Sequence, residues 1–462
     1  MTASTSAQKA AVPQPVTFDV YWHETEAVVY GTPLSGERQA DVCVIGAGYT
    51  GMWTAHYLKK AEPGIQVAIL ESDYAGSGAS GHGDGFMTPT IGHNLAGLIE
   101  AYGSERAKVA YATVNKSIIE IQRFASTHGI DAEIEPIGYL NVATSARQLH
   151  TLDRDLRLIE RLGVKSPPAL LDRAAIRECV DSPALLGGFK VGGAMVNPHR
   201  LVRGLSRVVR EQGVDVYERS AVLDVERTAS GYRVRTAGGA VAAGQVIYAT
   251  NAYQHQFPPL RSMVRPFWSY AIVTEPLTPE QLAQVRWPGR EGFVEARNII
   301  AFARLTRENR LLIGGGPVPY FYGRDTRPVH KRDQRPMRLL STLLARYFPA
   351  WRDVRITHAY GGCLDMTPDF VPHVGRLPTG ELYAHGYCGN GVAFSNTVGK
   401  VLRDLVLGND SAYTGLLFVG PQQRRYGSEP VAWLRSKSHN MRMRIEDGLP
   451  PLTRHAPAGH HR

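Results

Sequence analysis

The stretch DVCVIGAGYTGMWTAHYLKK, residues 41–60, constrains the fold of this chain more than any other. Val42, Val44 and Ile45 form a short continuous apolar run, the pattern of a parallel strand buried on both faces. Gly46, Gly48 and Gly51 follow at G-x-G-x-x-G spacing, and Ala55, Tyr57 and Leu58 continue as a helical stripe. A second apolar run, IQVAIL, ends at Glu71. Together they predict one βαβ unit. Gly46 permits the tight turn out of the strand, Gly48 lets a pyrophosphate approach the backbone, and Gly51 lets the helix pack closely on the strand. The helix N-terminus offers free N–H groups and partial positive charge to phosphates. A carboxylate at Glu71 is placed to accept hydrogen bonds from ribose hydroxyls.

This fingerprint does not separate NAD from FAD, but the next segment helps. A nicotinamide enzyme would continue into another ordinary βαβ unit. Here AGSGASGHGDGFMTPT, residues 75–90, comes directly after the ribose acid. A glycine-rich backbone of this kind predicts a path along an extended FAD pyrophosphate towards the flavin ring, where larger side chains would collide.

Further α/β character returns in GAMVNPHRLVRGLSRVVREQGVDVYERSAVLDVER, in YRVRTAGGAVAAGQVIYATNAY and in ELYAHGYCGNGVAFSNTVGKVLRDLVLG. Residues 100–165 read as helical, and the strands from RPFWSYAIVTEPL to NRLLIGGGP alternate as in a half-exposed antiparallel sheet. The expected fold class is α/β: a discontinuous Rossmann-like FAD-binding domain with an inserted α+β substrate domain built on an antiparallel sheet. The expected boundaries are an N-terminal arm at 1–35, FAD-binding segments at 36–99, 194–262 and 356–410, substrate segments at 100–193 and 263–355, and a basic C-terminal tail at 411–462.

Composition narrows the function classes. The formal charge of +10 is scattered, and its one dense run, GPQQRRYGSEPVAWLRSKSHNMRMR, reads as a solvated tail rather than a nucleic-acid arm. Cys43, Cys179, Cys363 and Cys388 are widely spaced without a CxxC, which argues against a zinc site or a disulfide framework. No metal is expected. Residues 1–22 lack an apolar signal region, and no apolar run reaches the ~18 residues of a membrane span. Cytoplasm is the expected compartment, and nothing fixes an oligomeric state.

The ordered motifs DVCVIGAGYTG, LESDYAGSGASG, GAMVNPHRLVRGL, VIYATNAY, RLLIGGG, TPDFVPHVGRL and GYCGNGVAFSNTVGK resemble the FAD-dependent D-amino-acid oxidase superfamily. The resemblance covers about residues 36–410 and lies in the glycine oxidase, sarcosine oxidase and γ-glutamylputrescine oxidase branch; GASG and YGGCLDMTPDFVPHVG look most like its γ-glutamylputrescine side. It implies that Gly46, Gly48, Gly51 and Glu71 hold the ADP half of FAD. Ser77, Ala79, Ser80 and Gly81 would line the pyrophosphate and flavin, and Val222 would touch the adenine through its backbone. Thr250 and Asn251 would close a strand over the cofactor. Gly361, Gly362 and the loop with Gly389, Asn390, Gly391 and Val392 would wrap the flavin ring, with the following helix N-terminus facing it.

His82 departs from the pattern of many putrescine-branch relatives. It is open as a covalent flavin anchor, an active-site histidine or a hydrogen-bonded loop residue, with covalent attachment not favoured. Cys363 invites the same covalent idea, but its offset by one from the family spacing favours a buried structural cysteine. The implied reaction oxidises a primary or secondary amine, an amino acid or polyamine derivative, to an imine by hydride transfer to flavin, with O2 as acceptor and hydrogen peroxide as product. The alternatives are a dehydrogenase of the same fold passing electrons to a quinone or protein, or a biosynthetic flavoenzyme. Tyr270 and Arg304 lie on strands that face substrate or flavin in relatives. Arg304 reads equally as a carboxylate clamp or an inter-strand ion pair, and Tyr270 equally as site or core.

Overall fold

A computed structural model describes residues 16–92, 95–161, 168–422 and 424–448. The run RHAPAGHHR, expected to be disordered, lies outside them.

The first strand, Gly36–Ile45, is the centre of the nucleotide-type sheet. It pairs in parallel with Val67–Leu70 on one side and Gly239–Tyr248 on the other. The sheet extends in parallel to Asp215–Tyr217 and to Leu382–His385, with His373–Arg376 as an antiparallel edge. Central parallel strands must be apolar on both faces, and Val42–Ile45 are all buried. The helices Tyr49–Ala61, Pro198–Glu211 and Gly391–Leu407 bury their apolar stripes against one face. Asn197 caps the second of them, accepting from Arg200 N–H at 3.2 Å, and Pro198 starts it.

The second sheet runs in the order Ile356–Met366, Arg265–Pro276, Arg310–Gly315, Ala301–Leu305, Gly292–Glu295, Tyr139–Ala143, Gly187–Val191. It is antiparallel except where Gly292–Glu295 meets Tyr139–Ala143. The amphipathic helix Gln334–Tyr347 packs on it through Met337, Leu340 and Leu344.

Three elements differ from the expectation. Tyr139–Ala143 is a strand inside the stretch expected to be helical, because a five-residue run carries no helical period. Ile356–Met366, expected in the FAD-binding segment, pairs instead along Arg265–Pro276 in the second sheet. The expected basic tail contains a helix, Glu429–Glu446, docked on the body of the protein. Its Glu429 receives Arg265, whose side chain is fully buried, and Tyr320. The N-terminal arm also docks: Thr17 bridges His358, and Trp22 is buried, donating from its indole to Gly83 O at 2.8 Å.

Candidate active site

One continuous cavity of about 2080 Å3 runs between the two sheets. That exceeds the ~300–1,000 Å3 of an ordinary small-molecule site and leaves room for a dinucleotide and a second molecule.

Its first part is a phosphate cradle. Gly46, at φ +108°, turns the chain out of the strand, and a Cβ there would lie 2.6 Å from Ala249 O. Gly51 sits against the carbonyl of Gly46 with no space for a side chain. It does not itself line the cavity; it sets the approach of the helix that does. The N-cap of that helix, Gly48, has no side chain to cap it, and the first N–H, of Tyr49, donates to Ser80 Oγ at 2.9 Å; Gly48, Tyr49 and Ser80 all line the cavity. Glu71 is buried at the cavity wall. Its Oε2 accepts from Ala47 N–H at 2.8 Å, and its Oε1 from Asp73 N–H, Ser72 and Ser77. Burial raises its carboxyl, opposed by these bonds. Ser77, Ala79, Ser80 and Val222 line the same stretch, whereas Gly81 packs behind it against Gly76 and His199.

A second cradle faces the first. Gly389, Asn390, Gly391 and Val392 open the helix Gly391–Leu407, whose N-cap residue likewise supplies no side-chain cap. The carboxylate of Asp365 holds this loop, accepting from the N–H groups of Gly386 and Tyr387. Burial pushes the Asp365 carboxyl up to about 7. Gly362 lines the cavity, while Gly361 lies under the ring of Tyr270. Thr250 and Asn251 sit at the lip. Asn251 adopts φ +47°, and Thr250 Oγ1 is buried with no hydrogen-bond partner among the described residues. Two helix N-termini whose own N-cap residues supply no side-chain cap, a ribose-type acid and an orphaned hydroxyl on one cavity fit a flavin dinucleotide.

The glycine-rich stretch after Glu71 carries two titratable groups on the cavity wall. His82 is buried, with Nε2 3.2 Å from Tyr74 Oη. Burial, then Lys331, His23 and His199, hold its pKa well below the usual range. Tyr74 Oη also lies 2.8 Å from His23 Nε2, and His23 Nδ1 lies 3.2 Å from Asp19, 67% of whose side-chain surface is exposed. Nothing in the sequence singles out Asp84, yet burial raises its carboxyl to about 7, against the lowering effect of Arg304.

Of the sheet residues, Tyr270 lines the cavity with its ring and donates its hydroxyl to His330 O at 2.9 Å. Burial raises its pKa. Arg304 is not on the cavity wall. Its guanidinium is buried beneath Trp22 and donates to Gly85 O at 3.0 Å and Val196 O at 2.9 Å. Neither expectation, clamp or ion pair, describes it: it is a brace for the loop that carries Asp84. Cys363 lines the cavity as a buried thiol raised by desolvation, and burial pushes Cys388 up to about 12. Both are poor thiolates. His385 is a satisfied strand residue, bonded to Gln254 and Gln422.

The cavity is also lined by the aromatic side chains of Phe86, Phe302 and Tyr360, by Glu295 and Arg297, and by residues of the helix Glu429–Glu446. Sequence reasoning misses Arg297 and the helix, since the one sits in a loop and the other has little amphipathic contrast.

Comparison with known proteins agrees with the cradle. Residues 41–405 match the DAO family, FAD dependent oxidoreductase. Over 380 residues the chain is 34% identical to the Escherichia coli (strain K12) gamma-glutamylputrescine oxidoreductase, covering 81% of this chain and 85% of that one. It is 23% identical to the glycine oxidase of Bacillus licheniformis, over 80% of this chain and 94% of that one. The crystal structure of glycine oxidase from Geobacillus kaustophilus superposes with a TM-score of 0.70 at 22% identity, covering 84% of this chain and all of the other. No described helix is long and apolar enough to cross a membrane. The chain belongs to the DAO family of FAD-dependent oxidoreductases, with FAD as its cofactor.

Proposed function

We propose that this enzyme oxidises a primary or secondary amine to the imine, with O2 as the electron acceptor and hydrogen peroxide as a product. The observation that carries the reading is the continuity of the cavity: it passes from the two phosphate cradles, past Gly362 and His82, into an aromatic compartment large enough for a second molecule. The 34% identity to a gamma-glutamylputrescine oxidoreductase supports the amine class.

Bound FAD supplies a two-electron acceptor that takes hydride from the carbon beside the amine nitrogen. The remaining tasks belong to the chain. Ser77, Ser80 and the N-terminus of Tyr49–Ala61 hold the pyrophosphate, and Glu71 the ribose. The N-terminus of Gly391–Leu407 places positive potential at the opposite cradle. Phe302, Tyr270 and Tyr360 exclude water and hold the amine in reach. The amine must be neutral to react, because an ammonium has no lone pair to drive the transfer. Asp84, titrating near 7, is the group able to accept its proton at neutral pH. His82, neutral by burial, connects the cavity wall through Tyr74 Oη and His23 to Asp19 at the surface, a route by which protons leave.

Anaerobic mixing of the FAD-loaded enzyme with a panel of amines tests the reading. Bleaching of the flavin band, and peroxide formed on admitting air, are expected. A panel of mono-, di- and acylated amines that leaves the flavin oxidised would overturn the amine class; rapid bleaching without peroxide would overturn O2 as acceptor.

A further inference from the structure

We infer that the outer face of the helix Glu429–Glu446 is a docking surface for a membrane with anionic lipid headgroups, and that the helix lies flat on that membrane. The inference goes beyond the amine reading and depends on no substrate.

The larger aliphatic side chains of this helix point away from the protein. Leu434, Met441 and Ile445 are 59%, 50% and 71% exposed, and Val431 is exposed beside them. Their spacings of three, seven and four put all four on one side of a helix. Towards the protein the helix turns Ala432, Ser436, Asn440 and Met443, which line the cavity. Cations beside the outer row dilute its contrast in the sequence, so burial alone reveals which way it faces. A contiguous exposed apolar row of this kind marks a surface that something covers. The helix is held firmly in this orientation. Glu429 accepts from Arg265 and Tyr320, Asn440 Nδ2 donates to Val318 O at 3.0 Å, and Asp447 accepts from Ile299 N–H at 2.8 Å.

The charges around the row say what covers it. Arg435, Lys437 and Arg442 flank it and are exposed. The carboxylates of the helix are engaged: Glu429 with Arg265, and Glu446 with Asn298 Nδ2 at 3.0 Å and Arg442 Nε at 2.8 Å. Lys437 Nζ lies 4.3 Å from the Trp433 ring, and the exposed Tyr322 meets that ring edge-on at 5.9 Å. An aliphatic centre, cationic flanks and a Trp–Tyr pair at the border make up a helix suited to a lipid interface. The formal charge of +10 favours approach to an anionic surface. A second copy of this chain fits the face worse, because its cations would meet their own equivalents with no free acid on the helix to answer them.

Because no described helix is long and apolar enough to cross a bilayer, this one rests on the surface rather than spanning it. Its 18 residues make a rod of ~27 Å. With the outer row among the headgroups, the cavity wall on the inner side stands about one helix diameter, ~10 Å, from the lipid. Docking thus sets the cavity side of the molecule against the bilayer.

The test mixes the FAD-loaded full chain with vesicles of phosphatidylcholine alone, or of equal parts phosphatidylcholine and phosphatidylglycerol, and floats them on a density gradient. The enzyme is expected to float with the anionic vesicles, less so as salt rises, and to bind the neutral ones about tenfold or more weakly. L434S/I445S should weaken binding to the anionic vesicles by about ten- to a hundred-fold. I445S, at the most exposed position, is the second arm and should act in the same direction. K437Q/R442Q should remove most of the preference for phosphatidylglycerol. None of these four residues lines the cavity, so flavin absorbance and the thermal midpoint should stay close to native in every variant. Native enzyme that floats with neither vesicle, or binding that survives unchanged in I445S and L434S/I445S, would overturn the inference. So would light scattering that shows a native dimer turned to monomer by L434S/I445S, since the row would then belong to a second copy. Failure of the amine panel leaves each of these readouts intact, so the two readings fall separately.

Discussion

His82 and Asp84 stand two positions apart, and burial moves them in opposite directions. The histidine is held neutral, and the carboxyl is raised to about 7. A base that ionises near 7 should make flavin reduction rise with pH through that value, because only the carboxylate accepts the amine's proton. Asp84→Asn is expected to remove this limb and slow reduction by about 10²- to 10⁴-fold, as loss of a general base does; anaerobic stopped-flow traces across pH check it. Tyr74→Phe keeps the packing but removes the hydroxyl between His82 and His23, and should slow proton exit without loss of bound flavin. An unchanged solvent isotope effect in Tyr74→Phe would count against the route. The sequence makes the residue types visible here but not their directions. Arg304 reads equally as a clamp or an ion pair because of the strand it lies on; only tertiary packing reveals that it braces the Asp84 loop. Asp84 reads as one polar residue among glycines because its importance comes from desolvation, which sequence does not encode.

Elements with strong period and local punctuation are legible in the amino-acid sequence itself. The strand-glycine-helix unit at 41–61, the helix Pro198–Glu211 stopped at Gly213, and the helix opening at Gly391 all follow from buried runs, glycine turns and caps. Elements whose cause is remote are not. Glu429–Glu446 buries little more than Ala432 and Arg444, so it has no inward apolar stripe to announce it. It is held by point contacts: Glu429 to Arg265, Tyr320 and Gly323, and Asp447 to Ile299. Arg265 is fully buried, so Glu429→Ala strands an unpaired charge and is expected to cost about 3–5 kcal/mol. Thermal unfolding should show it as a clear drop in midpoint, with Glu429→Gln less damaging because it keeps acceptors for Tyr320 and Gly323. A midpoint unchanged in Glu429→Ala would mean the helix is not anchored there.

Over the whole molecule, neutral buried histidines set the response to acid. Burial lowers His56 and His199 to about 4 and His385 to about 3, and holds His82 well below the usual range. Unfolded histidine titrates near ~6.5. Between that value and the folded one, the unfolded chain binds protons the folded chain refuses, so these groups stabilise fully at neutral pH and that stability is lost as pH falls. Asp84 and Asp365 act in the opposite sense: at about 7 the folded chain keeps protons that unfolded carboxyls have released above ~4, so they add stability on acidification. His255 and His358 are lowered in the same way, and Glu26, Glu71 and Glu133 are raised like the two aspartates, so six histidines stand against five carboxyls and the histidines stay narrowly ahead. The enzyme, held in excess FAD, is therefore expected to lose stability from pH 6.5 towards 5, at up to about 1.4 kcal/mol per pH unit for each uncompensated histidine. His56→Phe separates this from a general acid effect. It preserves a ring against Trp53 and Phe124 and removes one proton site far from the cofactor cavity. The slope of unfolding free energy against pH should fall by about one proton's worth in that variant. A slope identical to the native enzyme's would mean that His56 is not held neutral in the folded protein.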